Sequence, residues 1–325
     1  MSLTIKKQVE LLLDGHALEI DDTRITSHAA QNDTTGGTPS TYVPICQKTV
    51  TYVVAAVAIN NEGEVLMIQE AKTTCNGKWY LPAGRVDPNE TLTDAIKREV
   101  LEETGLILKP ETLILVECAT GSWFRFVFIG KVTGGKLKTI EEADEESLQA
   151  CWVKNVNDLS LRSHDIIPLI ERGKAFVMNK DITQHPYLMP VKTPLSKLLL
   201  RLVITSKKRT TNKLHVLASE TTPYHLPICE INPNRSLLST LHNFMKDLFG
   251  NEVAQHKPHG VLSIEFSAGQ GGDGLCLTLL VSFKLPVEDV PAIGKFIWHE
   301  LPDNIAANIT YRLPRNLTVP LNVVR

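Results

Sequence analysis

Beneath residues 79–105, WYLPAGRVDPNETLTDAIKREVLEETG, residues 224–250 read YHLPICEINPNRSLLSTLHNFMKDLFG, at a constant offset of 145 and without a gap. Leu81, Pro82, Pro88, Asn89, Leu92 and Gly105 recur as Leu226, Pro227, Pro233, Asn234, Leu237 and Gly250. Upstream, LLLRLVITSKKRTTNKLHVLASE mirrors the hairpin YVVAAVAINNEGEVLMIQE. Downstream, GVLSIEFSA and GLCLTLLVSFKL mirror the next strand pair. Shared strand–turn–helix grammar could supply six identities in 27 positions; the matching flanks favour a duplicated fold. A chain of 325 residues is also long for one hydrophobic core, and about two domains is its natural prior.

The first unit spells out its elements in order. TVTYVVAAVAI suits a buried strand, NNEG a turn and EVLMIQEA the returning strand. WYLPAGRV leads into a helix, and ETLILVECA and WFRFVFIGKV follow as strands. The turn TGG and the acidic stretch EEADEES precede LQACWV and a helix around SHDIIPLIERGKAFVM. The order β-β-β-α-β-β-β-α predicts a mixed α/β layer domain of about 125 residues. Before it, LTIKKQVELLLDGHAL has leucines at helical spacing, and HAAQNDTTGGTPSTYVP reads as a flexible linker. The expected organisation is a helix and linker over 1–48, a first domain over 49–178, a proline-rich linker over 179–194 and a second domain over 195–325.

A formal net charge of −2 gives no electrostatic footprint for a nucleic-acid polymer. The six cysteines form no CxxC pair, which argues against zinc or a disulfide framework and for a reducing compartment, the cytoplasm or nucleus. No apolar run reaches about 18 residues, so no membrane span is expected.

The chemistry concentrates in one helix. Thr91 and Asp94 can cap its start, and Gly105 sits where a glycine would end it. At about 100° per residue, Glu99, Glu102 and Glu103 share roughly a quarter-turn arc, while Leu92, Ile96 and Val100 face the core. Like charges at helical spacing repel by roughly 0.2–0.5 kcal/mol per pair. The cluster makes sense if a cation sits among the acids. Hard oxygen donors of this kind suit magnesium, which shares its site with substrate phosphates.

Gly84, five residues, Glu90, seven residues, Arg98-Glu99, two residues, Glu102-Glu103, one residue, Gly105 and Leu106 together resemble the Nudix box, with every fixed position filled. The resemblance covers residues 50–178, and the second half only through the repeat. It implies an α/β/α sandwich with a mixed sheet, followed by a degenerate Nudix-like α+β domain. It also implies hydrolysis of a nucleoside diphosphate by water attacking a phosphorus. Glu99 and Glu103 match the principal magnesium ligands, with manganese as a substitute metal, and the Gly84 carbonyl matches a backbone ligand. Glu102 matches a further ligand or an assistant to the water. Glu90 and Arg98 match a pair orienting the loop on the helix. The general base stays open between Glu102 and a carboxylate of the acidic loop, Glu141, Glu142, Asp144, Glu145 or Glu146.

Within the family, IQEAK, WYLPAGR, WFRFVF, TGGKLKT and EADEESLQACW look like the animal MutT-type 8-oxo-guanine nucleoside diphosphatases. That likeness implies small-molecule nucleotide substrates and cleavage to the monophosphate and phosphate. Leu66, Trp123, Phe126 and Phe128 are the side chains expected to frame the base. Another Nudix activity, on ADP-ribose for example, and a nucleotide-binding regulator without turnover are the competing readings. In the second copy Gly84, Glu90, Arg98, Glu99 and Glu103 become Cys229, Arg235, Asn243, Phe244 and Leu248, and Glu102 becomes Asp247. That copy is expected to serve as a stabilising domain or as a surface for a protein partner of unknown identity.

Overall fold

The computed structural model describes residues 3–20, 22, 25, 42–178, 185–220, 224–269, 272–313 and 317–324. The linker expected over residues 28–44 lies, up to residue 41, outside the described residues, as does the start of the proline-rich linker.

After helix α1 (Ile5–Leu13), the first half runs β1 (Thr51–Ala58), β2 (Val65–Glu70), β3 (Trp79–Tyr80), β4 (Ala83–Arg85), α2 (Leu92–Thr104), β5 (Leu106–Cys118), β6 (Trp123–Gly135), β7 (Ser147–Val153) and α3 (Ile167–Met178). β1 pairs parallel with β6 and antiparallel with β4, and β5 pairs antiparallel with β6. β2, β3 and β7 form a separate three-stranded sheet. The apolar run of β1 is what a central strand covered on both faces requires. α2 packs on β5, β7 and β4, and α3 packs on β1 and β5.

β8 (Val191–Lys192) emerges from the expected linker, and the second half continues with β9 (Leu198–Lys207), β10 (Leu214–Ser219), β11 (Ile228–Glu230), α4 (Leu237–Phe249), β12 (His256–Phe266), β13 (Leu275–Phe283), β14 (Phe296–Glu300) and α5 (Asp303–Arg312). β11 and α4 lie 145 residues after β4 and α2 at both ends. The pairing repeats as well. β9 lies parallel to β13 and antiparallel to β11, β12 is hairpinned on β13, and β10 pairs β14 as β2 pairs β7. In this half β10 also pairs β9, so the two sheets merge into one of seven strands.

Two segments depart from the division at residues 48 and 195. α1 packs through Ile5, Val9 and Leu12 in a cluster with Val203, Leu214, Leu280 and Ile309, so it belongs to the core of the second half. β15 (Leu321–Val323), at the other end of the chain, pairs parallel with β5 and completes the first sheet. Neither partner is legible locally, because helical periodicity or a three-residue strand shows which face is apolar and not which sheet receives it.

The halves are closely joined. Tyr52 Oη donates to the Asp273 carbonyl at 2.6 Å, the Cys46 N–H donates to Asp273 Oδ2 at 2.6 Å, and the Tyr52 and Phe266 rings meet edge to face at 4.9 Å. The Gly121 N–H donates to the Arg235 carbonyl at 2.7 Å. A Cβ at Gly121 would fall 2.0 Å from the Asn232 carbonyl oxygen, so only glycine permits that approach. Among the described residues no helix is long and apolar enough to cross a membrane, and all six cysteines are free thiols.

Candidate active site

Local chemistry fixes α2 in place. Thr91 Oγ1 accepts from the Asp94 N–H at its start, and Gly105, at φ +72°, closes its end by donating to the Leu101 carbonyl. Leu92, Ala95, Ile96 and Val100 are buried against the sheet, and this packing brings Glu99 and Glu103 inside with them.

Arg98 organises the acids. Its Nε and Nη2 each donate to Glu90 at 2.8 Å, and Nη2 also donates to the Arg85 carbonyl at 3.0 Å. Nη1 is shared by Glu99 at 2.9 Å and Glu102 at 3.0 Å. The hydrogen bonds to Glu90, followed by the charge of Glu99, push the guanidinium above its already high ordinary range. A bidentate fork of this kind sets geometry as well as charge. It ties the loop before α2 to the helix.

Beyond Arg98 the carboxylates are short of positive partners. Glu103 is 1% exposed, and its Oε2 accepts from the Ala83 N–H at 2.9 Å. Burial raises its pKa well above the ordinary carboxylate value, the Ala83 N–H opposes the rise, and the charges of Glu99 and Glu70 add to it. Burial also raises Glu99, against the pull of Arg98, and Glu102 and Glu146 raise it further. Glu70, at the end of β2, is 1% exposed; Oε1 accepts from Arg162 at 2.7 Å, while Oε2 is buried without a hydrogen-bond partner.

These donors fit a hard divalent cation. Three buried carboxylates concentrate negative charge, one buried oxygen lacks a donor, and the backbone at Gly84 is open toward Glu99. A Cβ at Gly84 would lie 2.1 Å from the Glu99 carboxyl group, so the close approach needs glycine. Among the described residues no three His, Cys, Asp or Glu side chains form a finished cage.

The structure thus gathers Gly84, Glu90, Arg98, Glu99, Glu102 and Glu103 at one corner of the first half. It does not gather the four side chains expected at the base. Leu66, Phe126 and Phe128, expected at the base, are 0% exposed. They are core, and Phe126 lies within 6.4 Å of the Tyr52 ring in the aromatic cluster between the halves. Trp123 is half-buried at the start of β6. Sequence reasoning passed over Glu70, because a single glutamate ending a strand carries no periodic signal. It also passed over Arg125, whose Nη1 donates to Tyr80 Oη at 2.9 Å and to Asp165 at 2.7 Å on the opposite face of the sheet from Phe126.

Residues 50–167 match the NUDIX domain family. The chain is similar to a mouse protein named 8-oxo-dGDP phosphatase NUDT18, 38% identical over 289 residues that cover 85% of this chain and 88% of the relative. A zebrafish protein of the same name is 36% identical over 335 residues, covering 98% of each. A solved NUDIX hydrolase from Nitrosomonas europaea aligns at 28% identity with a TM-score of 0.34, covering 39% of this chain and 89% of that one.

The chain belongs to the Nudix hydrolase family. Enzymes of this family generally work with a divalent cation, the species for which the donors around Gly84 are suited. The Nudix box is intact in the first half and absent from the second. At the equivalent corner, Cys229, Phe244 and Leu248 are all buried and join the hydrophobic core. The glycine and the two buried carboxylates of the first half are replaced there by a thiol and two apolar side chains.

Proposed function

We propose that this Nudix hydrolase cleaves oxidised purine nucleoside diphosphates of the 8-oxo-dGDP and 8-oxo-GDP type to the monophosphate and orthophosphate, with magnesium, in the cytoplasm or nucleus. Such a reaction keeps damaged guanine out of the nucleotide pool. The observation that carries the reading is similarity, over most of the chain, to relatives named for this activity.

Glu99, Glu103 and the Gly84 carbonyl would hold the cation. When bound, it neutralises charge on the phosphate oxygens, the main requirement of phosphoryl transfer. Glu90 holds Arg98, and Arg98 fixes where the carboxylates of Glu99 and Glu102 point. The attacking water must give up a proton as the P–O–P link breaks. Two groups of the acidic loop are ill suited to take it. Glu142 is held down at about 2, by its hydrogen bond to Lys136 and by those from Thr139. Asp144 is tied to Lys138 at 2.8 Å and to the N–H groups of Glu146 and Ser147. Glu141, Glu145 and Glu146 have no ion-pair partner among the described residues, and Glu146 is the one whose charge reaches Glu99. Glu146 and Glu102 are the proton acceptors this geometry supports.

A panel of 8-oxo-dGDP, 8-oxo-dGTP, dGDP and ADP-ribose with magnesium, on wild type and Glu103→Gln, tests the reading. Preference for 8-oxo-dGDP and loss of turnover in the variant are expected. Preference for ADP-ribose would overturn the substrate, and a variant as fast as wild type would overturn the mechanism.

A further inference from the structure

Glu70 lies outside the Nudix box, at the end of β2, yet the fold sets it against the box's own helix. In the pairing of β2 with β7 it stands opposite Ser147, whose Oγ donates to the Glu103 carbonyl at 2.6 Å. Its backbone is fixed on both sides. The Glu70 N–H donates to the Lys78 carbonyl at 2.8 Å, and the Glu70 carbonyl accepts from the Gly77 N–H at 2.9 Å. The Glu70 carboxylate is close enough to Glu103 for their charges to oppose each other. An uncharged residue would serve the strand pairing as well, so a buried acid brought beside two others calls for a further reason.

A structural ion pair with Arg162 is the plain explanation, and it leaves half of the carboxylate unaccounted for. Arg162 Nη1 donates to Oε1 at 2.7 Å, while Oε2 is buried with no hydrogen-bond partner. The pair is also lopsided, since the Glu70 side chain is 2% exposed and that of Arg162 is 44% exposed. Arg162 has a second support, its guanidinium carbon lying 4.8 Å from the centre of the Tyr80 ring, whose face attracts cations. Water can therefore take the place of Glu70 on the arginine. Glu265 marks the contrast: it too keeps one unpartnered oxygen, but Arg201 beside it is 3% exposed and cannot be given up to solvent. A buried carboxylate oxygen without a donor is costly, and a hard divalent cation takes such an oxygen directly.

We propose that Glu70 is a further ligand of the cation site, its Oε2 joining Glu99 and Glu103, and that Arg162 competes with the cation for this carboxylate. The inference rests on the reading that the cation binds at the carboxylates of α2. Arg162 acts through Glu70 and is a positioning residue. It balances the buried acid until a cation arrives, then stays over Tyr80 in contact with water. Arg98 tethers Glu99 in the same way on the other side, so both arginines hold acids apart that a cation would draw together.

Titrating manganese into the full chain without nucleotide, and following the electron paramagnetic resonance of the free ion, measures this apart from turnover. Glu70→Gln, which keeps the size of the side chain, should weaken manganese binding about 10–100-fold. Arg162→Ala should tighten it about two- to fivefold, as release from a partly exposed ion pair implies. In the Glu70→Gln background Arg162→Ala should change nothing, since the competition is already gone. Arg162→Ala should also melt lower than wild type in chelator and gain more Tm from manganese than wild type does. Wild-type affinity in Glu70→Gln, weaker binding in Arg162→Ala, or an Arg162→Ala effect that persists in the double variant would overturn the assignment. Loss of binding in Glu103→Gln beside wild-type affinity in Glu70→Gln would remove Glu70 and leave the cation reading standing, whereas a wild type that binds no manganese would remove both. Failure of the substrate panel alongside the expected affinities would remove the proposed nucleotide and leave Glu70 a ligand.

Discussion

The two halves share strand order, pairing and helix boundaries, yet they treat buried charge in opposite ways. At the corner where the first half places Gly84, Glu99 and Glu103, the second places Cys229, Phe244 and Leu248. Burying a carboxylate is costly unless a partner compensates it. The first half leaves its acids short of cations, and the second removes the acids and packs hydrocarbon in their place. Elsewhere the halves agree. Glu117 lies opposite Arg125 on β5 and β6, and Glu265 lies opposite Cys276 at the matching place in the second half. Glu117 pairs with Arg125, and Glu265 pairs with Arg201 at 3.0 Å and accepts from the Leu18 N–H at 2.8 Å. A buried carboxylate ion-paired within the chain stands in both copies, although Glu265 Oε2 and Arg201 Nη2 have no hydrogen-bond partner of their own. A buried charge that needs something from outside survives in one.

Paired substitutions should break this comparison most sharply. Glu103→Gln should lower kcat for 8-oxo-dGDP by roughly 10²–10⁴-fold, since a bound cation supplies several kcal/mol of transition-state stabilisation. Asp247→Asn, at the position equivalent to Glu102, should leave steady-state kinetics unchanged. Equal losses in both would mean that the second half takes part in the chemistry.

A chain ending at Met178 tests whether the second half stabilises the first. It would uncover Tyr52, Phe124 and Phe126 and leave β5 without β15. Exposing two or three such side chains costs about 1.5–3 kcal/mol each, so aggregation or a sharply lower Tm is expected. A soluble, stable and fully active fragment would show the halves to be independent.

Gly84→Ala should lower kcat/KM by about 10–100-fold, the scale on which displaced supporting groups act, because its Cβ meets the Glu99 carboxyl group. Cys229→Ala should leave kcat/KM unchanged and reduce stability by about 1 kcal/mol.

The smallest effect is on pH dependence. Glu99 and Glu103 have folded values raised above their unfolded ones. The metal-free native state therefore holds extra protons, and their stabilising contribution, present below the unfolded value, is lost as pH rises through the raised values. The Tm gained on adding magnesium should be larger near pH 8 than near about pH 5. Glu103→Gln should flatten that difference, and Asp247→Asn should not.

Much of this contrast was legible in the sequence, because its signals are local. Thr91 and Gly105 mark the ends of α2, carboxylate spacing marks one of its faces, and a constant offset carries the same helix into the second half. What the sequence leaves open is tertiary. Phe126 and Phe128 look alike whether a ring meets a nucleotide or the other half of the chain, and β6 turns them inward. α1 and β15 find partners more than a hundred residues away. The unpaired oxygen of Glu70 becomes visible only when β2 is set beside the end of α2.

The most direct test is to strip the full chain of metal with a chelator and follow 8-oxo-dGDP hydrolysis before and after magnesium is restored. The account predicts negligible turnover in the stripped protein, recovery on addition of the ion, and no recovery in Glu103→Gln. Undiminished turnover by the stripped wild type would contradict it.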